Sequence, residues 1–295
     1  MNQAAHPGGV DSTFCPALPR VMIEPLVRAT LLEDLGRAGD LTSDAIVPAH
    51  LQGRTALVAR KPGIVAGVDI ARLAFELVDP RIRFDAKLQD GNALQPGAVI
   101  AVVEGPARGM LAAERTALNF MCHLSGIASA TYDVVQAVAG TKAQIVCTRK
   151  TIPGMRTVQK YAVKVGGGHN HRFGLDDAVL IKDNHVAMAG GVQQAYERAR
   201  AHVGHMVKIE LEVDTLEQLD VALELGVDAI LLDNMDIPTM TEAVKRVNGR
   251  AITEASGGIT PETAPGIALT GVDLISIGWL THSVKQLDIG LDHQA

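Results

Sequence analysis

Basic side chains crowd one short segment of this chain. Between Thr148 and His185 there are seven Lys or Arg residues, three His and three Asp, so the local formal charge is seven minus three, or +4. The whole chain of 295 residues carries a net charge of -6. A nucleic-acid-binding face usually makes its whole domain basic, so this segment is more typical of a pocket for a small, multiply charged anion. In such a pocket Arg offers a planar fork to a carboxylate or phosphate, and Lys offers a point charge.

Polar residues also follow six apolar runs that are typical of buried strands. The runs span residues 144–148, 178–182, 207–213, 228–233, 250–256 and 272–278. The residues at their ends are Thr148-Arg149-Lys150, Lys182-Asp183-Asn184, Glu212-Val213-Asp214, Asp233-Asn234, Ser256-Gly257-Gly258 and Ile277-Gly278. A single Asp after a strand is more often a helix cap than a functional group. Six polar ends together favour a site, because the working residues of parallel β/α barrels gather at the carboxyl ends of the strands.

Three of these ends suggest how an anionic sugar phosphate could be bound. Ser256-Gly257-Gly258 precedes a predicted helix, and paired glycines let backbone N–H groups approach a phosphate at a helix N-terminus. A plain turn between strand and helix explains the same residues equally well. Glu212 and Asp233 cannot hold phosphate directly. They could instead hold a divalent cation, bind ribose hydroxyls, or stabilise positive charge on a sugar ring.

The run at 207–213 adds an unusual pattern of charge. Lys208, Glu210 and Glu212 alternate onto one face of the predicted strand, and this face would point inward in a barrel. Charges inside a barrel are costly unless they are paired or bound to a ligand. The pattern therefore indicates a site, or else an exposed strand outside a barrel.

The spacing of the runs predicts how the elements hold these residues. The last four runs begin at residues 207, 228, 250 and 272, and amphipathic segments at 215–226 and 237–249 lie between them. This regular spacing of strand, crossover helix and strand predicts an α/β fold with a parallel β/α barrel. A doubly wound sheet ranks second, because no G-x-G-x-x-G follows the first strand.

The first half of the chain has a different pattern. A helix is predicted over 21–36, strand-like runs with Gly and Pro turns over 53–105, and a long helix over 110–138, which together indicate an α+β domain. The predicted organisation is a loose tail at 1–20, an N-terminal domain at 21–125 with 285–295 packing back on it, and a barrel at 126–284. The tail lacks the charged start and apolar centre of a signal peptide, and no apolar run approaches a membrane span. We therefore expect a cytoplasmic protein that acts on neither membranes nor nucleic acid.

At this point the residues resemble a known family. Among the matching segments are EDLGRAGDLTS (33–43), ERTALNF (114–120), TRKTIPGMR (148–156), KYAVKVGGGHNHRFGLDDAVLIKDNH (160–185), LEVDTLEQ (211–218), LLDN (231–234) and EASGGIT (254–260). They are similar to quinolinate phosphoribosyltransferase, over nearly everything after residue 20. The resemblance implies an incomplete, seven-stranded parallel β/α barrel with an N-terminal α+β open sandwich domain, in a homodimer or a larger assembly of dimers.

The resemblance also implies roles for individual residues. Arg149, His171 and Arg172 match a clamp on the two carboxylates of quinolinate, with Lys182 close by, and Arg115 matches an arginine that reaches into the neighbouring subunit's pocket. Thr148 is also expected to bind substrate. Asn184 and His185 are expected to contact the substrate-binding residues rather than the substrates. The groups expected around phosphoribosyl pyrophosphate and Mg²⁺, with Glu212 and Asp233 holding the metal directly or through water, are Lys150, Lys182, Glu212, Asp233, Ser256, Gly257, Gly258 and Gly278.

The implied reaction joins the pyridine nitrogen of quinolinate to the anomeric carbon of phosphoribosyl pyrophosphate, with loss of pyrophosphate and CO₂, to give nicotinate mononucleotide for NAD biosynthesis. Lys150, Lys182, Glu212 and Asp233 are the expected catalytic groups, and Mg²⁺ is the expected cofactor. The alternatives are a related transferase associated with molybdate transport, a nicotinate-using transferase, and a non-catalytic sensor of pyridine carboxylates. His171, Arg172 and Arg115 favour quinolinate, and the mixed charges of Lys182, Glu212 and Asp233 argue against a sensor.

Overall fold

The computed structural model describes residues 17–293, so most of the tail predicted over 1–20 lies outside the described residues. The helices are α1 (Arg20–Leu35), α2 (Leu41–Ile46), α3 (Val68–Val78), α4 (Ala107–Ala137), α5 (Arg156–Val165), α6 (Asp183–Ala189), α7 (Val192–His202), α8 (Leu216–Leu225), α9 (Ile237–Val247), α10 (Ala264–Ala268) and α11 (Trp279–His282). The strands are β1 (Gln52–Ala59), β2 (Gly63–Ile64), β3 (Arg83–Ala86), β4 (Ala93–Leu94), β5 (Val99–Pro106), β6 (Gln144–Val146), β7 (Val179–Ile181), β8 (Ile209–Val213), β9 (Ala229–Asp233), β10 (Ile252–Ser256), β11 (Leu274–Ser276) and β12 (Ile289–His293).

The described residues form two compact units. One unit comprises the residues as far as 132, together with 152–167 and the residues from 281 onward. The other comprises residues 133–151 and 168–280. The first unit therefore includes α5, although the sequence places this helix inside the predicted barrel range of 126–284. The predicted domain boundaries stay a prediction.

The first unit is built on an antiparallel sheet of four strands in the order β12-β1-β5-β3. β12 pairs with β1 from Ile289 to His293, so this late segment completes one edge of the sheet. α1 buries Ile23, Val27 and Leu31, whose spacing of four residues places them on one helical face. Two serines on α4 hold the loop after β2, since Ser129 Oγ accepts a hydrogen bond from the Ile64 N–H at 2.8 Å and Ser125 Oγ from the Ala66 N–H at 3.0 Å.

The second unit is built on a parallel sheet of six strands in the order β6-β11-β10-β9-β8-β7. All six runs predicted from the sequence form strands of this sheet, in each case over a shorter span. In addition to these strand pairs, Val146 of β6 forms an isolated parallel bridge with His169. The predicted α/β class, with a parallel sheet and a separate antiparallel sheet, is confirmed.

Local signals explain how the strands and helices alternate. Thr215 caps α8 by accepting a hydrogen bond from the Gln218 N–H, and Asp236 caps α9 by accepting one from the Thr239 N–H at 2.8 Å. α8 and α9 each end at a residue in the left-handed conformation, Gly226 and Asn248. Between residues 17 and 293 no helix has the length and apolarity that crossing a membrane requires.

Candidate active site

One cavity of the second unit collects the charged residues that the sequence singled out. Because the strands are parallel, their carboxyl ends lie at one edge of the sheet, and the cavity forms there. The residues that line it are Thr148, Arg149, Lys150, His171, Arg172, Leu180, Lys182, Leu231, Glu254, Ser256 and Ser276. Four cationic side chains and one histidine therefore face a space that has a single carboxyl group in its lining.

The guanidinium groups lie close enough to influence each other. Arg172 is partly buried, and this burial, followed by the positive charge of Arg149, lowers its pKa. Its Nη1 donates a hydrogen bond to the Ala178 carbonyl at 3.1 Å, which orients the side chain. Two neighbouring cations that are partly removed from water provide a favourable place for an anion with two negative groups.

A buried cluster of His171, Glu210 and Glu254 lies beside these cations. His171 Nε2 is 2.7 Å from Glu210 Oε2 and 3.6 Å from Glu254 Oε2. Burial raises the pKa of Glu254 to about 8, and the negative charge of Glu210 acts in the same direction. Glu254 is therefore neutral near pH 7, while Glu210 pairs with the imidazole.

A second ion pair lies at the ends of β7 and β8. The Lys182 ammonium donates a hydrogen bond to Glu212 Oε2, and the Lys182 backbone N–H donates one to His185 Nδ1 at 3.0 Å. The Glu212 side chain is mostly buried and that of Lys182 is half exposed. His185 thus holds the Lys182 backbone, and both His185 and Asn184 are exposed.

The loop after β10 has a backbone that only glycine accommodates easily. Gly257 has φ +106°, and a Cβ atom there would lie 2.0 Å from Asn234 Oδ1. Gly258 also has a positive φ of +56°. The Asn234 N–H donates a hydrogen bond to the Ser256 carbonyl at 2.9 Å, and the Asn234 amide donates one to Asp233 Oδ2 at 2.6 Å. This network places Asp233 and the glycine loop at the ends of adjacent strands.

The structure brings most of the predicted site residues together. The seven that line the cavity are Thr148, Arg149, Lys150, His171, Arg172, Lys182 and Ser256. Glu212 joins them through its ion pair with Lys182. Asp233, Gly257 and Gly258 lie at neighbouring strand ends, and Gly278 follows β11. Arg115 is exposed on α4 in the first unit and is not among the lining residues.

Sequence reasoning missed Glu254 and Ser276, both of which line the cavity. Glu254 and Ser256 are two residues apart in the TEAS run of β10, so they share a face of the strand. This alternation along the strand was the signal in the sequence that could have identified Glu254. The inward position predicted for Lys208 was wrong, because this residue precedes β8, is largely exposed and pairs with Asp228 at 2.6 Å. Glu210, on the same predicted face, is buried.

A parallel α/β unit with a cationic cavity at its strand ends defines a protein that binds anionic small molecules. Comparison with known proteins identifies the family. The C-terminal domain of quinolinate phosphoribosyl transferase matches residues 127–292, and the N-terminal domain of the same family matches residues 40–125. The chain belongs to the quinolinate phosphoribosyltransferase family, as the sequence resemblance predicted.

Relatives with known names agree with this assignment. The chain is 49% identical to a nicotinate-nucleotide pyrophosphorylase [carboxylating] of Mycobacterium leprae, over 90% of this chain and 95% of that protein. It is 44% identical to a probable enzyme of the same name from Bacillus subtilis, over 92% of this chain and 93% of the relative. The crystal structure of NadC from Streptococcus pyogenes superposes with a TM-score of 0.91 at 38% identity, over 95% of this chain and 100% of that one.

Proposed function

We propose that the cationic cavity is where this chain transfers a phosphoribosyl group to quinolinate. The chain is a pentosyltransferase of the carboxylating nicotinate-nucleotide pyrophosphorylase type, as predicted, and its reaction yields nicotinate mononucleotide, pyrophosphate and CO₂. The observation that supports the location is the concentration of positive charge in one cavity of an acidic protein. A dianion and a polyanion must meet there, and unscreened cations offset their mutual repulsion.

The quinolinate subsite is assigned to Arg149, Arg172 and His171. The two guanidinium groups influence each other electrostatically, and the imidazole lies in the same lining. Planar guanidinium forks match carboxylates in a bidentate way, so two arginines suit two carboxylates on one ring. Nicotinate has a single carboxylate and would leave one of these groups without its partner.

The phosphoribosyl pyrophosphate subsite is assigned to the other polar residues at the strand ends. Lys150 and Lys182 are assigned to the phosphate charge, and Glu212, which pairs with Lys182, is assigned to the ribose. The left-handed backbone at Gly257 and Gly258 exposes N–H groups to a phosphate. The complete proposed set is Thr148, Lys150, Lys182, Glu212, Asp233, Ser256, Gly257, Gly258 and Gly278.

Glu212 and Asp233 have the right chemistry to hold Mg²⁺. They are carboxylates at the ends of adjacent parallel strands, since β8 pairs with β9. Mg²⁺ is usually bound by one or two carboxylates and by substrate phosphates, with water completing the shell. When bound, the metal would neutralise charge on the departing pyrophosphate. Glu212 would release Lys182 to the same phosphate oxygens.

The order of bond changes follows from the chemistry of the ring. As pyrophosphate leaves, positive character develops on the ribose, and the carboxylates of Glu212 and Asp233 stabilise it. The pyridine nitrogen then bonds to the anomeric carbon and becomes positively charged. Loss of the adjacent carboxylate follows, because the cationic nitrogen stabilises the electron pair that remains on the ring.

We further propose a cytoplasmic homodimer, or an assembly of such dimers, in which Arg115 enters the partner's cavity. Support for this comes from Arg115 itself, whose side chain is exposed on α4. An exposed arginine in a segment that matches the family motif is free to cross a two-fold interface. The proposal gives each cavity one guanidinium from outside its own chain.

The assay that tests the function combines purified protein, phosphoribosyl pyrophosphate and Mg²⁺ with quinolinate or nicotinate. We expect nicotinate mononucleotide, pyrophosphate and CO₂ from quinolinate, with kcat/KM about a hundredfold above that for nicotinate, a difference of about 2.7 kcal/mol. Chelation by EDTA should stop the reaction, and added Mg²⁺ should restore it. Comparable kcat/KM values for the two acids would favour the nicotinate-type alternative, and binding without turnover would favour a sensor.

A further inference from the structure

The buried carboxyl group of Glu254 lies in the wall of the proposed active site, yet none of the roles above uses it. Its residue exposure is 1%, and it is one of the lining residues of the cavity. Its Oε2 atom makes no hydrogen bond within the described part of the chain, while the carboxyl group interacts with Glu210 and Ser276. Burying a carboxyl group costs stability, so a buried one in the wall of an active site is a candidate for a role in the reaction.

The surroundings of Glu254 determine where a proton resides. One ligand atom each from His171, Glu210 and Glu254 lies within 4.8 Å of the other two. His171 Nε2 makes its short 2.7 Å contact with Glu210, whereas Glu254 Oε2 lies 3.6 Å from the same ring nitrogen. The second carboxyl group is more stable when neutral, because two negative charges in a buried cluster repel each other. Burial and the charge of Glu210 accordingly raise the pKa of Glu254 to about 8.

Binding of the substrate strengthens this preference. Quinolinate brings two negative charges into the cavity, and an ionised Glu254 in the lining would repel them. The cations Arg149, Arg172 and Lys182 attract the substrate to the same space, with His171 beside them. We therefore expect Glu254 to be protonated when quinolinate is bound.

The reaction needs a proton at this place. It breaks the bond between the ring carbon C2 and its carboxylate, and it forms a C2–H bond instead. Neither phosphoribosyl transfer nor pyrophosphate release provides that hydrogen. The carboxylate that leaves is the one next to the ring nitrogen, so the proton must be delivered where the arginine clamp holds the ring.

We propose that Glu254 is the proton donor that converts the decarboxylated ring into nicotinate mononucleotide, an inference that rests on the proposed function. The C2–carboxylate bond breaks, CO₂ leaves, and the electron pair stays on C2. This pair takes the proton of the Glu254 carboxyl group to form C2–H. Glu254 is left as a carboxylate, and it regains a proton from water once the product has departed.

Glu254→Gln tests this step, because glutamine keeps the shape and neutrality of the protonated side chain but cannot supply an acidic proton. We expect pyrophosphate release within about fivefold of the unmodified chain, whereas nicotinate mononucleotide forms about a hundredfold more slowly or worse. Without a proton donor the electron pair on C2 recaptures CO₂, so the ribosylated ring with both carboxylates should accumulate, and mass spectrometry of quenched reactions would detect it. Glu224→Gln makes the same chemical change at an exposed position of α8, and it should keep the two products equal.

The outcomes separate this inference from the proposed function. If the unmodified chain releases no pyrophosphate with quinolinate, the proposed function itself fails. If it works and Glu254→Gln forms pyrophosphate and nicotinate mononucleotide in equal amounts, at full rate or with both equally slowed, Glu254 is not the proton donor. Should Glu254→Gln not fold, Glu254→Asp decides, since it keeps the acid but withdraws it by one methylene. If Glu254→Asp forms more pyrophosphate than nicotinate mononucleotide, the proposal is supported, and equal amounts overturn it.

Discussion

At the residue scale, the site balances cations for the substrates against carboxyl groups kept neutral or paired. Burial, followed by the positive charge of Arg149, lowers the pKa of Arg172. Glu210 and Glu212 are paired with His171 and Lys182, and Glu254 is neutral. We therefore expect a bound anion with two negative groups to offset the repulsion between the arginines, which favours dianions.

Arg172→Ala should weaken the use of quinolinate far more than that of phosphoribosyl pyrophosphate. The expected rise in the KM for quinolinate is about tenfold to a hundredfold, because one charge-assisted pair with a carboxylate is lost. Steady-state kinetics with each substrate varied in turn gives the two KM values that are compared. Arg246→Ala is the matched control, since Arg246 lies on α9 and pairs only with exposed Asp220 and Glu242 among the described residues. An equal loss for both substrates would contradict the assigned subsite.

Glu254 should also make stability depend on pH. Its pKa is about 8 in the folded protein against an ordinary 4.5, so between these values the folded state keeps a proton that the unfolded chain has released. The free energy of unfolding therefore falls as pH rises through this window, and below it the contribution is fully present. The groups that face Glu254 are His171, Glu210 and Ser276.

Glu254→Gln has no carboxyl group to ionise, so it removes the loss of stability that the unmodified chain shows as pH rises. Relative to the unmodified chain, the variant should gain on the order of 1 to 3 kcal/mol in stability between pH 5 and pH 8. Urea unfolding at the two pH values gives the comparison. A difference between variant and unmodified chain that is the same at both pH values would show that Glu254 is already ionised in the folded protein.

At the element scale, the site depends on how each strand of the parallel sheet turns into the next helix. The turn after β10 places Gly257 where a side chain would collide with Asn234. Gly257→Ala should raise the KM for phosphoribosyl pyrophosphate by about tenfold, and the strained backbone should cost about 1 to 3 kcal/mol in stability. Kinetics and thermal unfolding measure the two effects separately.

Gly249→Ala provides the control for Gly257→Ala. Gly249 follows α9 with φ +73°, and a Cβ there meets no atom within 4 Å. The control should lose stability through its backbone but keep its KM for phosphoribosyl pyrophosphate. If both variants bind this substrate equally well, the glycine turn after β10 does not hold phosphate.

At the scale of the whole molecule, the proposed crossing of Arg115 predicts complementation between inactive chains. Arg115→Ala and Lys182→Ala homodimers should each be nearly inactive. A mixed dimer has one cavity with both residues intact and one with neither. Random re-pairing of equal amounts makes about half the dimers mixed, so roughly a quarter of the full activity should return in a two-fold dimer. Native mass spectrometry confirms the exchange of subunits, and exchange without recovered activity would place Arg115 outside the partner's cavity.

Much of this protein was determined by its sequence alone. The six apolar runs became the six parallel strands, because strands that alternate with amphipathic helices are joined by crossover connections, which favour a parallel sheet. The residues at their ends, such as Thr148, Lys182 and Ser256, met in one cavity for the same reason. Both properties are local or periodic, and a linear pattern is sufficient to reveal them.

Only the tertiary structure decided the rest. It placed α5 with the first unit, exposed Lys208, and brought Glu254 of β10 within 3.6 Å of the His171 imidazole. No periodicity in the sequence encodes the distance between His171 and a glutamate on a strand far along the chain. The pKa of Glu254 depends on that distance and on burial, which exist only once the strands are packed, so its proton became visible only in the folded molecule.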